Sequence, residues 1–329
     1  MRATVLLTLT ALVACDRQVD PTELAGPTMG TQWSVVIVDE ITDSSSESLR
    51  ASIVAELARI NALMSTYDEA SQLSVFNHSR LTTPQSVHAD TLRVVRQALV
   101  ISQATEGAYD ITLGPVIDLW GFGADPHSTR PSASALSSAM QSVGYQKLTL
   151  RERSLQKSRP GVQVDLSSIA KGFAVDRIGE LLEAVGINNY LADIGGEIRT
   201  RGHRAPRANW RIGIEQPEGL SPASLSVSEA HIATSGSYRN YRLDSGKRYS
   251  HLIDGRTGLP IEHHLVAVTV LAESTMAADA WATAFMVVGP DQALRLANEH
   301  ELAVVMTLAD EEGQFFTKTS AMAEPFVVD

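Results

Sequence analysis

The stretch STMAADAWATAFMVVG, Ser274 to Gly289, constrains this chain more than any other. Its alanines and large apolar side chains have the composition of a buried helix, and a helix that is apolar all round needs protein on every side. The rest of the fold has to be built about it. One residue conflicts with that role: Asp279 puts a carboxylate inside the apolar run. A buried, unpaired carboxylate is costly enough to neutralise itself, so something must compensate it.

Thr283 follows four residues later, so its hydroxyl and the carboxylate project from one helix face, about one turn apart. That hard-oxygen pair suits magnesium, which takes one or two carboxylates and completes its shell with substrate phosphate and water. A second reading also fits: Asp279 caps a neighbouring loop and Thr283 bonds back to its own helix. Spacing alone leaves both open.

The 329 residues are 44% hydrophobic, enough for one large domain or two ordinary ones. The formal net charge of −11 argues against a nucleic-acid partner, because an acidic surface repels phosphate chains. An anionic substrate must therefore meet a local cation.

At the N-terminus an apolar run from Ala3 to Ala14 is too short to span a bilayer and fits the core of a signal peptide. It ends in LVAC, and Cys15 is the only cysteine. This resembles a bacterial lipobox, whose cysteine becomes the lipidated first residue of the mature chain; a plain signal peptide containing a thiol is the alternative. Asp16 resembles the signal that retains such lipoproteins in the inner membrane. The expected organisation is a lipoprotein signal peptide over residues 1–14, a lipidated N-terminus and linker over 15–25, and one domain over 26–329. The lipid would tether the protein to the periplasmic side of the inner membrane and leave no thiol for disulfides or catalysis. No later segment is long and apolar enough to cross a membrane.

Within the domain, Val19 to Pro27 reads as a polar linker, Trp33 to Val38 as a strand, and the serine-rich Asp39 to Ser48 as a loop. Leu49, Ile53, Leu57, Ile60 and Met64 recur at helical spacing. Further helices are expected over Ala89 to Ala104 and from near Ser168 to Gly186. Strand-like segments follow (NYLADI, WRIGIE, HIATS, KRYSHLI, LVAVTVLA), and helices return over Thr275 to Val288 and Asp291 to His300. This irregular order predicts an α+β fold, one large domain of mixed sheets and packed helices, and no Rossmann glycine fingerprint is present.

The stretch VDLSSIAKGFAVDRIGE, Val164 to Glu180, predicts a short strand ending at Asp165 and a helix capped by Ser167 or Ser168, with Lys171 in its first turn. A helix start with small residues and a lysine can hold an anion, although a capped helix with a surface lysine fits as well. Ser168 and Lys171 also spell the SxxK of serine acyl-enzymes. That reading needs a KTG-like element in a strand, whereas Arg256, Thr257 and Gly258 lie in DGRTGLP, a turn by composition.

Eight stretches, in order, resemble the ApbE family of periplasmic FAD:protein FMN transferases: GPTMGTQWSV, MSTYDEASQLSVFN, GAYDITLGPVIDLWGFG, VDLSSIAKGFAVDRI, ADIGGEIRTRG, IATSGSYRNY, YSHLIDGRTGLP and VTVLAESTMAADAWATA. The resemblance implies an ApbE-like domain that binds FAD through Met29, Tyr67, Ala108, Tyr109, Asp110, Asp165, Lys171 and Ile253. It implies Mg²⁺ held by Asp279, Thr283 and the backbone carbonyl of Ser168, with His251 as the base, and a turn beside the flavin at Asp193, Gly195 and Gly196. FMN would pass from FAD to a threonine hydroxyl of an acceptor protein as a phosphoester, releasing AMP. Subunits of sodium-pumping quinone reductases or related electron-transfer complexes are the implied acceptors. Two other activities remain open at this point: hydrolysis of FAD to FMN and AMP, and flavin binding without catalysis. Trp281 is expected to face away from the metal pair and pack, and His263 and His264 to lie at the surface.

Overall fold

The computed structural model describes residues 20–328 except 124–129, 218, 239 and 245. The expected signal peptide over residues 1–14, Cys15 and Asp16 lie outside the described residues. An eight-stranded antiparallel sheet forms the centre, in the order Thr22–Thr28, Thr31–Ile37, Tyr190–Ile194, Glu197–Arg201, Ala230–Gly236, Leu265–Ala272, Ala303–Ala309 and Phe315–Thr319. Its inner strands are covered on both faces. Along Ala303–Ala309, Val304 and Met306 enter the main core under the helices, while Val305 enters a second core beneath a three-stranded sheet. That alternation is the two-residue period of a strand buried on both faces.

The helix of the opening stretch, Thr275–Val288, lies on the helical side against strands Ala230–Gly236 and Leu265–Ala272 and against helix Ala170–Ala184. Twelve of its fourteen residues are buried, as its composition demands. Trp281 stacks on Phe285 at 5.1 Å between ring centroids and meets His300 at 4.9 Å, so it packs as expected.

Several expectations differ from the structure. Residues 22–25 of the expected linker belong to the edge strand Thr22–Thr28, paired with Thr31–Ile37 through a hairpin at Met29 and Gly30. An edge strand is half solvated, so its polar composition hides it. Both turn residues have positive φ, 46° at Met29 and 75° at Gly30, as a two-residue hairpin turn requires. The expected loop Asp39 to Ser48 becomes helix from Asp43, because Thr42 Oγ1 accepts the Ser45 N–H at its start. No strand ends at Asp165. The Asn77 side chain brackets Val164 there instead, accepting its N–H at 2.7 Å and donating to its carbonyl at 2.8 Å. His263 is not a surface residue: it is half-buried, and its Nε2 lies 2.8 Å from the Met286 carbonyl.

Candidate active site

Helix Ala170–Ala184 has Ile169 at its N-cap, and neither Ser167 nor Ser168 caps it. The Ser168 hydroxyl instead lies 3.0 Å from the buried Tyr109 hydroxyl. A helix start still needs acceptors for its free N–H groups. Asp279 supplies one, its Oδ2 accepting the Gly172 N–H at 2.9 Å. Gly172 is required at this crossing, since a Cβ there would run into the Thr275 carbonyl and stand 2.8 Å from Asp279 Cβ. The two helices thus meet closely enough for the carboxylate of one to serve the start of the other. The Asp279 carboxylate is compensated in part by this neighbour, which is a helix start and not the loop that the second reading expected. The Thr283 hydroxyl, however, pairs at 3.1 Å with Ser235 Oγ on the adjoining strand.

The other Asp279 oxygen, Oδ1, is 3.9 Å from Lys171 Nζ, which also contacts Glu197 Oε1 at 2.5 Å. Glu197 Oε2 is buried with no hydrogen-bond partner. Two carboxylates therefore face one ammonium. Burial pushes the Asp279 carboxyl above its usual range, against the pull of Lys171 and the Gly172 N–H. It does the same to Glu197, again opposed by Lys171. Burial also disfavours the charged Lys171, but Asp279 and Glu197 outweigh it and hold its pKa above the ordinary lysine value. Burial thus holds both carboxyls toward their neutral forms, and one Glu197 oxygen is left without a partner. A divalent cation fits this environment, because it would favour the charged carboxylates that burial opposes.

These groups line one cavity of about 1330 Å³, together with the other residues that the resemblance implies for FAD, the metal and the base; Asp193 does not reach its wall. Met29 and Tyr67, Ala108 to Asp110, Asp165, Ser168 and Lys171, His251 and Ile253, and Asp279 and Thr283 all contribute to its wall. They arrive from separate segments: the hairpin turn at 29–30, the end of helix Asp43–Met64, the segment after helix Ala89–Ala104, the start of helix Ala170–Ala184, the turn after Ser250 and the buried helix. Not every one reaches the cavity with a free side chain. Both Asp110 oxygens are engaged internally, by the Thr112 N–H and hydroxyl and by the Tyr145 N–H, so this residue shapes its segment. Tyr67 is 68% exposed, an aromatic ring free to cover a flat ligand. The Gly195–Gly196 turn also lines the wall, its Gly196 N–H bonded to Asp193 at 2.8 Å.

His251 Nδ1 lies 2.8 Å from the Asn240 carbonyl. A carbonyl only accepts, so Nδ1 carries the proton and Nε2 is left as the basic nitrogen. Burial lowers its pKa below 6.5, more than the Asn240 contact raises it, so the site favours the neutral ring.

Among the described residues no group of three or more His, Cys, Asp or Glu could hold a metal ion. The implied set would not form such a group, having one carboxylate, one hydroxyl and one carbonyl. Sequence reasoning assigned no role to Glu197 or Ser235, although both lie in the quoted stretches ADIGGEIRTRG and IATSGSYRNY. The signal for Glu197 was an acidic residue at the first position of a strand, directly after two glycines.

Comparison with known proteins accords with this architecture. The ApbE family model matches residues 29–306. The FAD:protein FMN transferase of Haemophilus influenzae is 41% identical over 323 residues, covering 94% of this chain and 93% of the relative. That of Vibrio cholerae is 38% identical, covering 98% and 97%. Among solved structures, the flavin transferase ApbE from Vibrio cholerae superposes with a TM-score of 0.87 at 38% identity, covering 93% of this chain and 99% of that one. The Pseudomonas stutzeri flavinyl transferase ApbE in its apo form does so with 0.86 at 34% identity, covering 93% and 96%. With a family match over most of its length and relatives this similar, the chain belongs to the ApbE family.

Proposed function

We infer that the protein is an FAD:protein FMN transferase, which takes FAD and a protein acceptor as its two substrates. The observation that carries this reading is the convergence of Tyr67, Lys171, His251, Asp279 and Thr283, from distant parts of the chain, on one cavity. Its volume exceeds the roughly 300–1,000 Å³ of sites for drug-sized ligands, as a dinucleotide requires.

In the proposed mechanism Met29 and Tyr67 bear on the flavin, and Lys171 faces the diphosphate. Asp279, Thr283 and the Ser168 carbonyl would hold Mg²⁺. A cation there supplies Lewis-acid stabilisation of charge on the phosphoryl oxygens. His251 Nε2 takes the proton of the acceptor threonine hydroxyl as its oxygen attacks the FMN-side phosphorus. The new P–O bond forms as the bond to the AMP phosphate breaks, leaving a threonyl phosphoester and AMP. Glu197 holds the Lys171 ammonium in place until the substrate's anionic oxygens compete for it.

The acceptor is proposed to be a subunit of a sodium-pumping quinone reductase or a related electron-transfer complex, reached from a lipid anchor at Cys15 on the periplasmic side of the inner membrane. No described helix is long and apolar enough to cross a membrane. Incubating the purified protein with FAD, Mg²⁺ and the soluble domain of such a subunit tests the reading. Covalent flavin fluorescence on the acceptor and one AMP per label are expected. Release of free FMN and AMP with no label would make the protein a pyrophosphatase, and retained FAD with no turnover would make it a flavin binder.

A further inference from the structure

FAD enters a cavity, but the second substrate is a protein, and a protein must rest on the surface beside that cavity. The hairpin Tyr241–Asp244 and Lys247–Ser250 stands at this rim. Its base carries His251: the Asn240 carbonyl, just before the first strand, accepts both the His251 N–H at 3.3 Å and the Nδ1 proton at 2.8 Å. Tyr241 belongs both to the cavity wall and to the outer surface, with 43% of its area exposed.

The two faces of the hairpin differ. On the inner face Tyr249 is buried against Trp120, at 5.5 Å between rings, and the Arg242 guanidinium covers Phe122 at 5.2 Å. The outer face, by the two-residue period, carries Tyr241 and Leu243, with Arg248 directly opposite Leu243. Leu243 is 64% exposed, and the Arg248 guanidinium lies 3.8 Å from the centre of the Tyr241 ring. The stacked Tyr–Arg pair has the composition of an interface hot spot, and Leu243 adds apolar area beside it. Among the described residues no third strand pairs with this hairpin. Of the hairpin's charged residues only Arg248 shares the outer face, where it donates to the Ser237 carbonyl at 2.9 Å, and no acidic residue accompanies it there. The local sign therefore favours an acidic partner segment and opposes only the isologous pairing of this face with itself in a second copy.

We propose that the outer face of this hairpin, Tyr241, Leu243 and Arg248, is the docking surface for the acceptor protein, receiving a segment with an apolar side chain and acidic flanks so that its threonine reaches His251. The proposal rests on the transferase reading above. Detergent-solubilised membrane protein from a strain lacking this enzyme serves as the acceptor probe, with FAD and Mg²⁺ added and covalent flavin fluorescence read after electrophoresis. Leu243→Asp and Arg248→Glu are expected to raise the half-saturating acceptor concentration about tenfold or more, with FAD affinity unchanged by flavin fluorescence quenching. Leu243→Met is expected to label like the wild type. Wild-type labelling by both charge variants would overturn the proposal. So would normal labelling by Leu243→Asp together with lost binding to phosphatidylglycerol vesicles or a changed oligomeric state, which would assign the face to lipid or to a second copy. A wild-type enzyme that labels nothing would overturn the transferase reading itself, and the docking surface with it.

Discussion

At the scale of single residues, Asp279 shows how the cost of a buried carboxylate is offset. Its carboxylate has one oxygen fixed by the Gly172 N–H and the other turned to Lys171, in a cluster where Glu197 adds a second carboxylate. Asp279→Asn retains the contact to Gly172 and removes the charge. The expected outcome is a fall in flavin transfer of about a hundredfold or more, with FAD still bound, measured by acceptor labelling beside fluorescence quenching. His251 gives a prediction in pH. Its pKa is lowered by burial, so the neutral, proton-accepting ring is present at neutral pH and is lost as pH falls through a value below 6.5. The rate should climb through that acid limb to a plateau, and His251→Asn should remove the limb along with most of the activity.

At the scale of elements, the buried helix and helix Ala170–Ala184 are clamped at two levels. One turn beyond Gly172, Asp176 accepts the Thr275 and Met276 N–H groups at 3.0 Å each and contacts His231 Nδ1 at 3.1 Å. Burial works against the Asp176 charge, but His231 and the two N–H groups outweigh it and keep its pKa below the usual value. Its contribution to stability is complete above the unfolded-state pKa and is lost as pH falls through the lowered folded one. Asp176→Asn should cost about 1–3 kcal/mol in chemical denaturation near neutral pH and flatten the acid side of the stability profile. An unchanged profile would mean that the clamp holds without the charge. The buried helix and helix Asp43–Met64 were legible in the sequence, the first from the composition of the apolar run after Ser274 and the second from the periodicity of Leu49 to Met64. The edge strand Thr22–Thr28 was not, since half of its residues face water. Nor was the start of helix Ala170–Ala184, whose N–H acceptor comes from more than a hundred residues away. Local capping rules see only Ser167 and Ser168.

At the scale of the whole molecule, an eight-stranded sheet lets segments from residue 29 to residue 283 meet around one cavity. Which residues line the cavity was legible through the family resemblance that the eight stretches carry. How they are held was not. The Lys171–Glu197 contact joins two stretches, and the Ser235–Thr283 pair joins two others; no periodicity links them. The account as a whole turns on a divalent cation between Asp279 and Thr283, facing the FAD diphosphate. Crystals grown with FAD and Mn²⁺ and measured at the manganese absorption edge test this most directly. An anomalous peak within bonding distance of Asp279 Oδ1 and Thr283 Oγ1, beside the diphosphate, is the predicted result. A bound FAD whose diphosphate lies elsewhere, or a well-ordered complex with no peak at those two oxygens, would contradict it.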